Sequence, residues 1–133
     1  MLPLFEDQEP DDRRPRDALA VARAWIRGKA RMTDAHQAAF SANAAGRGMP
    51  DPVTFAALSA GRAAAVAHVA AHDLGAAAHA IRAAGAAAPA DEAARARAVE
   101  REWQRAQLPD DVRALVLDDQ QRQSAICWHV FDD

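Results

Sequence analysis

The stretch PVTFAALSAGRAAAVAHVAAHDLGAAAHAIRAA, Pro52 to Ala84, decides how the rest of the chain is arranged. Alanine is the best helix former, and between Val53 and Ala84 only Gly61 and Gly75 interrupt a run that contains no proline. Asp51 followed by Pro52 offers an N-cap oxygen and then a residue whose missing N–H costs nothing in a first turn. Gly85 is a natural stop. The sequence predicts one long helix, roughly 50 Å if straight, with a bend or break possible at that length.

On a wheel with about 100° per residue and His68 at zero, His72 falls about 40° away and His79 about 20°. Gly61 and Gly75 share that stripe. Leu58, Val66, Val69, Leu74 and Ile81 cover the other sides, so the helix is apolar nearly all round and is expected to be buried among partners. A glycine costs roughly 1 kcal/mol against alanine in a helix interior. In a segment built of alanine, Gly61 and Gly75 therefore point to close approach of another backbone.

Composition agrees with helices. Half of the residues (50%) are hydrophobic, alanine supplies most of them, only 5% are aromatic and there is no tyrosine. At 133 residues the chain is expected to form one domain, 1–133, with a real core. The formal net charge of -3 leaves no basic excess to neutralise phosphates, which argues against nucleic-acid binding. Cys127 is the sole cysteine, so no internal disulfide can form. The opening MLPLFEDQEPDD has no apolar signal core, and no apolar run is long enough to span a bilayer; a soluble cytoplasmic protein without membrane contact is the expectation.

Outside the long helix, Leu2–Phe5 reads as a short apolar lead that either tucks against the bundle or stays loose, as termini usually do. A first helix is predicted from about Arg13 to Ile26, capped by Asp12, with Leu19, Ala22, Trp25 and Ile26 inward. A second should follow Thr33 as N-cap and end near Ala45. After the linker Gly85–Ala90, a helix capped by Asp91 should run from Glu92 to Gln107 with Ala96, Val99, Trp103 and Ala106 inward. A last one, Asp110 to Arg122, should turn Val112, Leu115 and Val116 inward. In Ser124–Asp133, Ile126, Trp128 and Val130 alternate with Cys127, His129 and Phe131, the period of a strand; an extended segment packed on the bundle is expected. The predicted fold is all-α: a bundle of about five helices around the long alanine-rich one, with a short extended C-terminal segment.

The sharpest chemical constellation is His68-x3-His72. An i, i+4 histidine pair can hold one metal ion from a helix face, and His36, His129 or a carboxylate from another helix would have to complete the site. His79 rises about 10 Å beyond His72 along the axis and cannot join the same ion. Val69 follows His68, so no HExxH general base is present. The competing interpretation is that these histidines are hydrogen-bonded core residues. Cys127 and His129 on one strand face suggest a nucleophile and base, but no oxyanion donors accompany them. The acidic pairs Asp11-Asp12, Asp110-Asp111, Asp118-Asp119 and Asp132-Asp133 read either as solvated helix ends or as a surface for a basic partner.

Four blocks, DDRRPRDALAVARAWIRG, AGRAAAVAHVAAHDLGAAAHAIRAA, EREWQRAQLPDDVRALVLDD and CWHVF, together resemble the Imm-5-like domain family of bacterial immunity proteins. The order of Arg14-Pro15 with Ala24-Trp25, His68 with His72-x2-Gly75, and Glu102-Trp103 with Leu108-Pro109 carries the likeness, from about Leu4 to Phe131. The resemblance implies an all-helical, non-catalytic domain that neutralises a cognate toxin protein, without cofactor and with no established active site to carry over. Where His79 stands the family more often has an aromatic residue. That leaves His68 and His72 as the matching pair and as the only candidate metal ligands. The rival reading is a small metal-dependent helical enzyme using His68 and His72; a third is a helical scaffold, a homodimer joined through its tail.

Overall fold

The computed structural model describes residues 1–132, the Ala71 side chain excepted, and within them the chain is all-helical with no strand. In chain order the helices are α1 (Leu2–Glu6), α2 (Arg14–Ile26), α3 (Met32–Ala45), α4 (Asp51–Ala65), α5 (Asp73–Ala87), α6 (Ala93–Ala106) and α7 (Asp110–Gln123), with 3-10 turns at Ala70–His72 and Ala125–Cys127. No helix among the described residues is long and apolar enough to cross a membrane.

The single long helix is the main correction. It is two helices of 15 residues each, α4 and α5, which pack on one another more extensively than any other pair. No glycine or proline forces the break. At Val69 the backbone becomes extended (φ -139°, ψ 103°) before Asp73 opens α5, where its carboxylate accepts the Leu74 N–H at 2.7 Å. The reason is global. A chain of this length packs into a body roughly 36 Å across, so a 50 Å rod would leave its ends in water. Folding back places Leu74, Ala78 and Ile81 in the core, and Ser59 Oγ donates to the Ala76 carbonyl at 2.8 Å to tie the two halves. Gly85 does not stop α5, which runs on to Ala87 ahead of Pro89.

The hub is therefore α4 alone, which packs against α1, α2, α3 and α5. Its small residues allow this. Ala18 and Ala22 of α2, Ala39 and Ala42 of α3, and Ala64 and Ala65 of α4 form one buried cluster of methyl groups. Gly61 marks the tightest contact: a Cβ there would lie 2.1 Å from Asn43 Oδ1 and 3.0 Å from the Ala39 carbonyl of α3. Gly75 was expected to do the same and does not, since its imagined Cβ meets only the Arg62 side chain at 3.5 Å, an ordinary contact.

The N-terminal lead is not loose. Pro3 starts the short helix α1, Phe5 is fully buried against Ala45, Val53, Ala56 and Ala57, and Glu6 takes two hydrogen bonds from Arg16 at 2.7 Å. The N-cap of α2 is Arg13, not Asp12, but Asp12 one residue earlier accepts the Arg14 N–H at 3.0 Å. Helix α3 begins a residue before Thr33, with Asp34 accepting the Arg31 N–H at 3.0 Å, and Asp91 makes no cap to α6.

The C-terminal segment is a compact turn, not an extended one. Trp128 and His129 both adopt left-handed backbone (φ 56°), which reverses the chain and sends Cys127, Val130 and Phe131 into a cluster with Leu74, Ala78 and Ile81. Its main-chain oxygens are held by α6: Arg105 donates to the Phe131 carbonyl at 2.9 Å, and Arg101 to those of Val130 and Asp132. Asp133, the second member of the last acidic pair, lies outside the described residues. Asp11-Asp12 and Asp110-Asp111 sit at helix starts, where Asp12 pairs with Arg14 and Asp110 with Arg113, while Asp118-Asp119 lies within α7, where Asp118 pairs with Arg122.

Candidate functional site

The predicted histidine pair is not on a helix face. His68 lies in the turn after α4 and His72 ends the 3-10 turn, with ring centroids 6.0 Å apart. The fold brings His36 of α3 to His68 instead, at 4.3 Å and edge-on, and Phe40 packs against His36 at 4.8 Å. Arg62 Nη1 lies 3.2 Å from His72 Nδ1 and 3.3 Å from Nε2, so the guanidinium rests against the imidazole and sets a positive charge beside it. Burial, then Arg62, then His68 hold the His72 imidazole below its ordinary pKa, which keeps it neutral. No group of three His, Cys, Asp or Glu side chains among the described residues is arranged to hold a metal ion.

His79 is elsewhere and buried, with only 5% of its surface exposed. Burial, with Arg82 and Arg62 adding to it, pushes its pKa down to about 4. Its ring lies 6.2 Å from Phe55 and 5.1 Å from Trp128. Cys127 and His129 are not a reactive pair. The thiol is buried and pushed up by that burial and by Asp73 and Asp119, while His129 is exposed and bound to Asp132 at 3.0 Å.

Two features suited to recognition escaped the sequence reading. The first is an open groove of about 520 Å³ between α4–α5 and α6–α7, floored by Leu74, Ala77 and Val116 and rimmed by Trp103 and Leu108. Residues expected inward are exposed: Val99 is 62% exposed, Trp103 59% and Leu115 70%, and α6 buries no residue at all. Ile26 of α2 is likewise exposed, although Ala22 is buried as expected. The second is Arg82, whose guanidinium carbon lies 4.0 Å from the Phe55 ring centroid and 4.2 Å from that of Trp128. The signal for it was available, since Arg82 is the only cation in DLGAAAHAIRAAGAA.

The described residues form an all-helical bundle that leaves large apolar and aromatic side chains, among them Trp103 and Trp128, exposed on its surface. The family model described as "Imm-5 like putative immunity protein" matches residues 1–111, and the chain belongs to that family. The match ends at the start of α7, so the terminal block CWHVF lies beyond it. No curated protein and no solved structure matches the chain.

Proposed function

We propose that this chain is an immunity protein of one domain, 1–133, that acts in the bacterial cytoplasm. It binds a cognate toxin protein and neutralises it by occlusion, without turnover. Family membership supports the immunity role. The observation that carries the binding mode is the outer face of α6 and α7, where Val99, Trp103 and Leu115 stay in water although their helices have a core to pack against. Large exposed apolar side chains beside a groove are the usual anchors of a protein interface, and tryptophan is prominent among them. The competing reading is a metal-dependent enzyme built on His68 and His72; the positive charge of Arg62 beside His72 disfavours a cation there.

Co-purification with the product of the adjacent reading frame tests the proposal. A one-to-one complex that abolishes toxin activity is expected, and Trp103→Ala should weaken it by at least about tenfold, the cost of losing one anchor. Recovery of the chain alone, with a solution mass of two copies, would favour the homodimer instead.

A further inference from the structure

Arg82 differs from the other well-placed arginines of this chain. Arg14, Arg16, Arg31 and Arg122 face carboxylates, Arg113 faces carbonyls, and Arg101 and Arg105 hold the tail. Arg82 is half-buried and makes no hydrogen bond or ion pair among the described residues, and none of its nitrogens is shut away from solvent. Its guanidinium carbon lies over the Phe55 ring at 4.0 Å and over the Trp128 ring at 4.2 Å. The edge of the guanidinium plane carries all five N–H donors.

We infer that Arg82, stacked on Phe55 and Trp128, is a pre-formed anchor for a carboxylate side chain of the protein partner. The inference rests on the binding role proposed above. A guanidinium resting on two rings has lost its freedom before binding, so little more is lost when two parallel N–H···O bonds form. The walls are fixed: Phe55 stands on the hub helix, and Trp128 is held by two successive left-handed residues that L side chains rarely adopt. His79 closes the floor with a ring that is 5% exposed. A lysine would bring only a compact, strongly hydrated charge to these rings; arginine brings a planar group that stacks on them and the in-plane fork. That fork also fits phosphate, but the net charge of -3 repels a polyanion, whereas one acidic residue on a protein fits.

The test uses the intact 15N-labelled chain at pH 7 and constant ionic strength, following the backbone amide resonances of Ile81 and Ala83, present in every variant, and in the unsubstituted chain also the Arg82 Nε–Hε resonance, during titration with sodium acetate, sodium chloride or sodium phosphate. Acetate should give a saturable shift that chloride does not, and Arg82→Lys should bind acetate at least about tenfold more weakly with its melting temperature preserved. Trp128→Leu, which keeps the guanidinium but removes one wall, should weaken acetate several-fold. Acetate behaving like chloride, unchanged acetate binding to Arg82→Lys, or phosphate binding more tightly than acetate would each overturn the assignment. Failure here leaves the toxin complex untouched, and failure of the co-purification leaves acetate binding untouched, so the two readings fail separately.

Discussion

The body made by α2, α3 and α4 and the outer layer made by α6 and α7 stay attached by opposite means. In the body, methyl groups meet methyl groups at helix crossings so close that Gly61 leaves no space for a Cβ. In the outer layer α6 buries no residue, and polar side chains make the joints: Gln104 reaches the Ala77 carbonyl of α5, Arg105 reaches Gln120 of α7, and Arg113 of α7 reaches back to the Arg105 and Leu108 carbonyls. Close packing tolerates no added volume. Joints made by long flexible side chains do tolerate it. The difference teaches where this chain can change its surface without losing its fold.

The strongest way to break the comparison is Phe5→Ala, which empties a fully buried site of the body. It should cost about 3–5 kcal/mol in urea unfolding. Gly61→Ala should cost about 2 kcal/mol, overpacking outweighing the helix propensity gained. Gly75→Ala, which meets only Arg62 at 3.5 Å, should instead raise stability by up to about 1 kcal/mol. Equal effects at the two glycines would show that the α3–α4 crossing is looser than its geometry says.

Acid sharpens the contrast at His79. Its folded pKa of about 4 lies below the ordinary 6.5, so between these values the unfolded chain binds a proton that the folded chain refuses. Stability is complete above pH 6.5, falls as pH drops toward 4 and then levels off as far as this group is concerned. The loss should be on the order of 1–2 kcal/mol, since water reaches the rim of the site. His79→Phe should flatten that acid limb in melts recorded across the range, and an unchanged slope would assign it to other groups. The smallest effect is expected at Trp103→Ala: exposed on the outer layer, it should shift stability by less than about 0.5 kcal/mol while weakening the toxin complex.

Much of the helical layout was legible because its punctuation is local. Asp12 with Pro15 opens α2, and Pro109 with Asp110 opens α7, both within a residue of the expected positions. The break between Ala65 and Asp73 was not legible, because no residue there demands it; it comes from the size of the whole body. The tail misled for a related reason. Its two-residue alternation is real, but the left-handed backbone at Trp128 and His129 is imposed by packing on α5 and by the arginines of α6. At the candidate sites, the sequence named His68 and His72 but placed them on one helix. The meeting of His36 with His68, and of Phe55 with Arg82 and Trp128, joins residues far apart in the chain and exists only after folding. Of the inward faces assigned to α6 and α7, Val116 does pack on the core, but Val99, Trp103 and Leu115 do not, because periodicity finds an apolar stripe without saying whether the protein itself covers it.

The grip of Arg101 and Arg105 on the C-terminal turn falls on backbone oxygens, which every amino acid carries alike. Ile126 and His129, outward residues of that turn, take no part in this grip and, unlike Trp128, do not stack on Arg82. The turn is thus a socketed fitting with an interchangeable tip: outward positions can be rewritten to suit a different antagonist while the seat stays as it is.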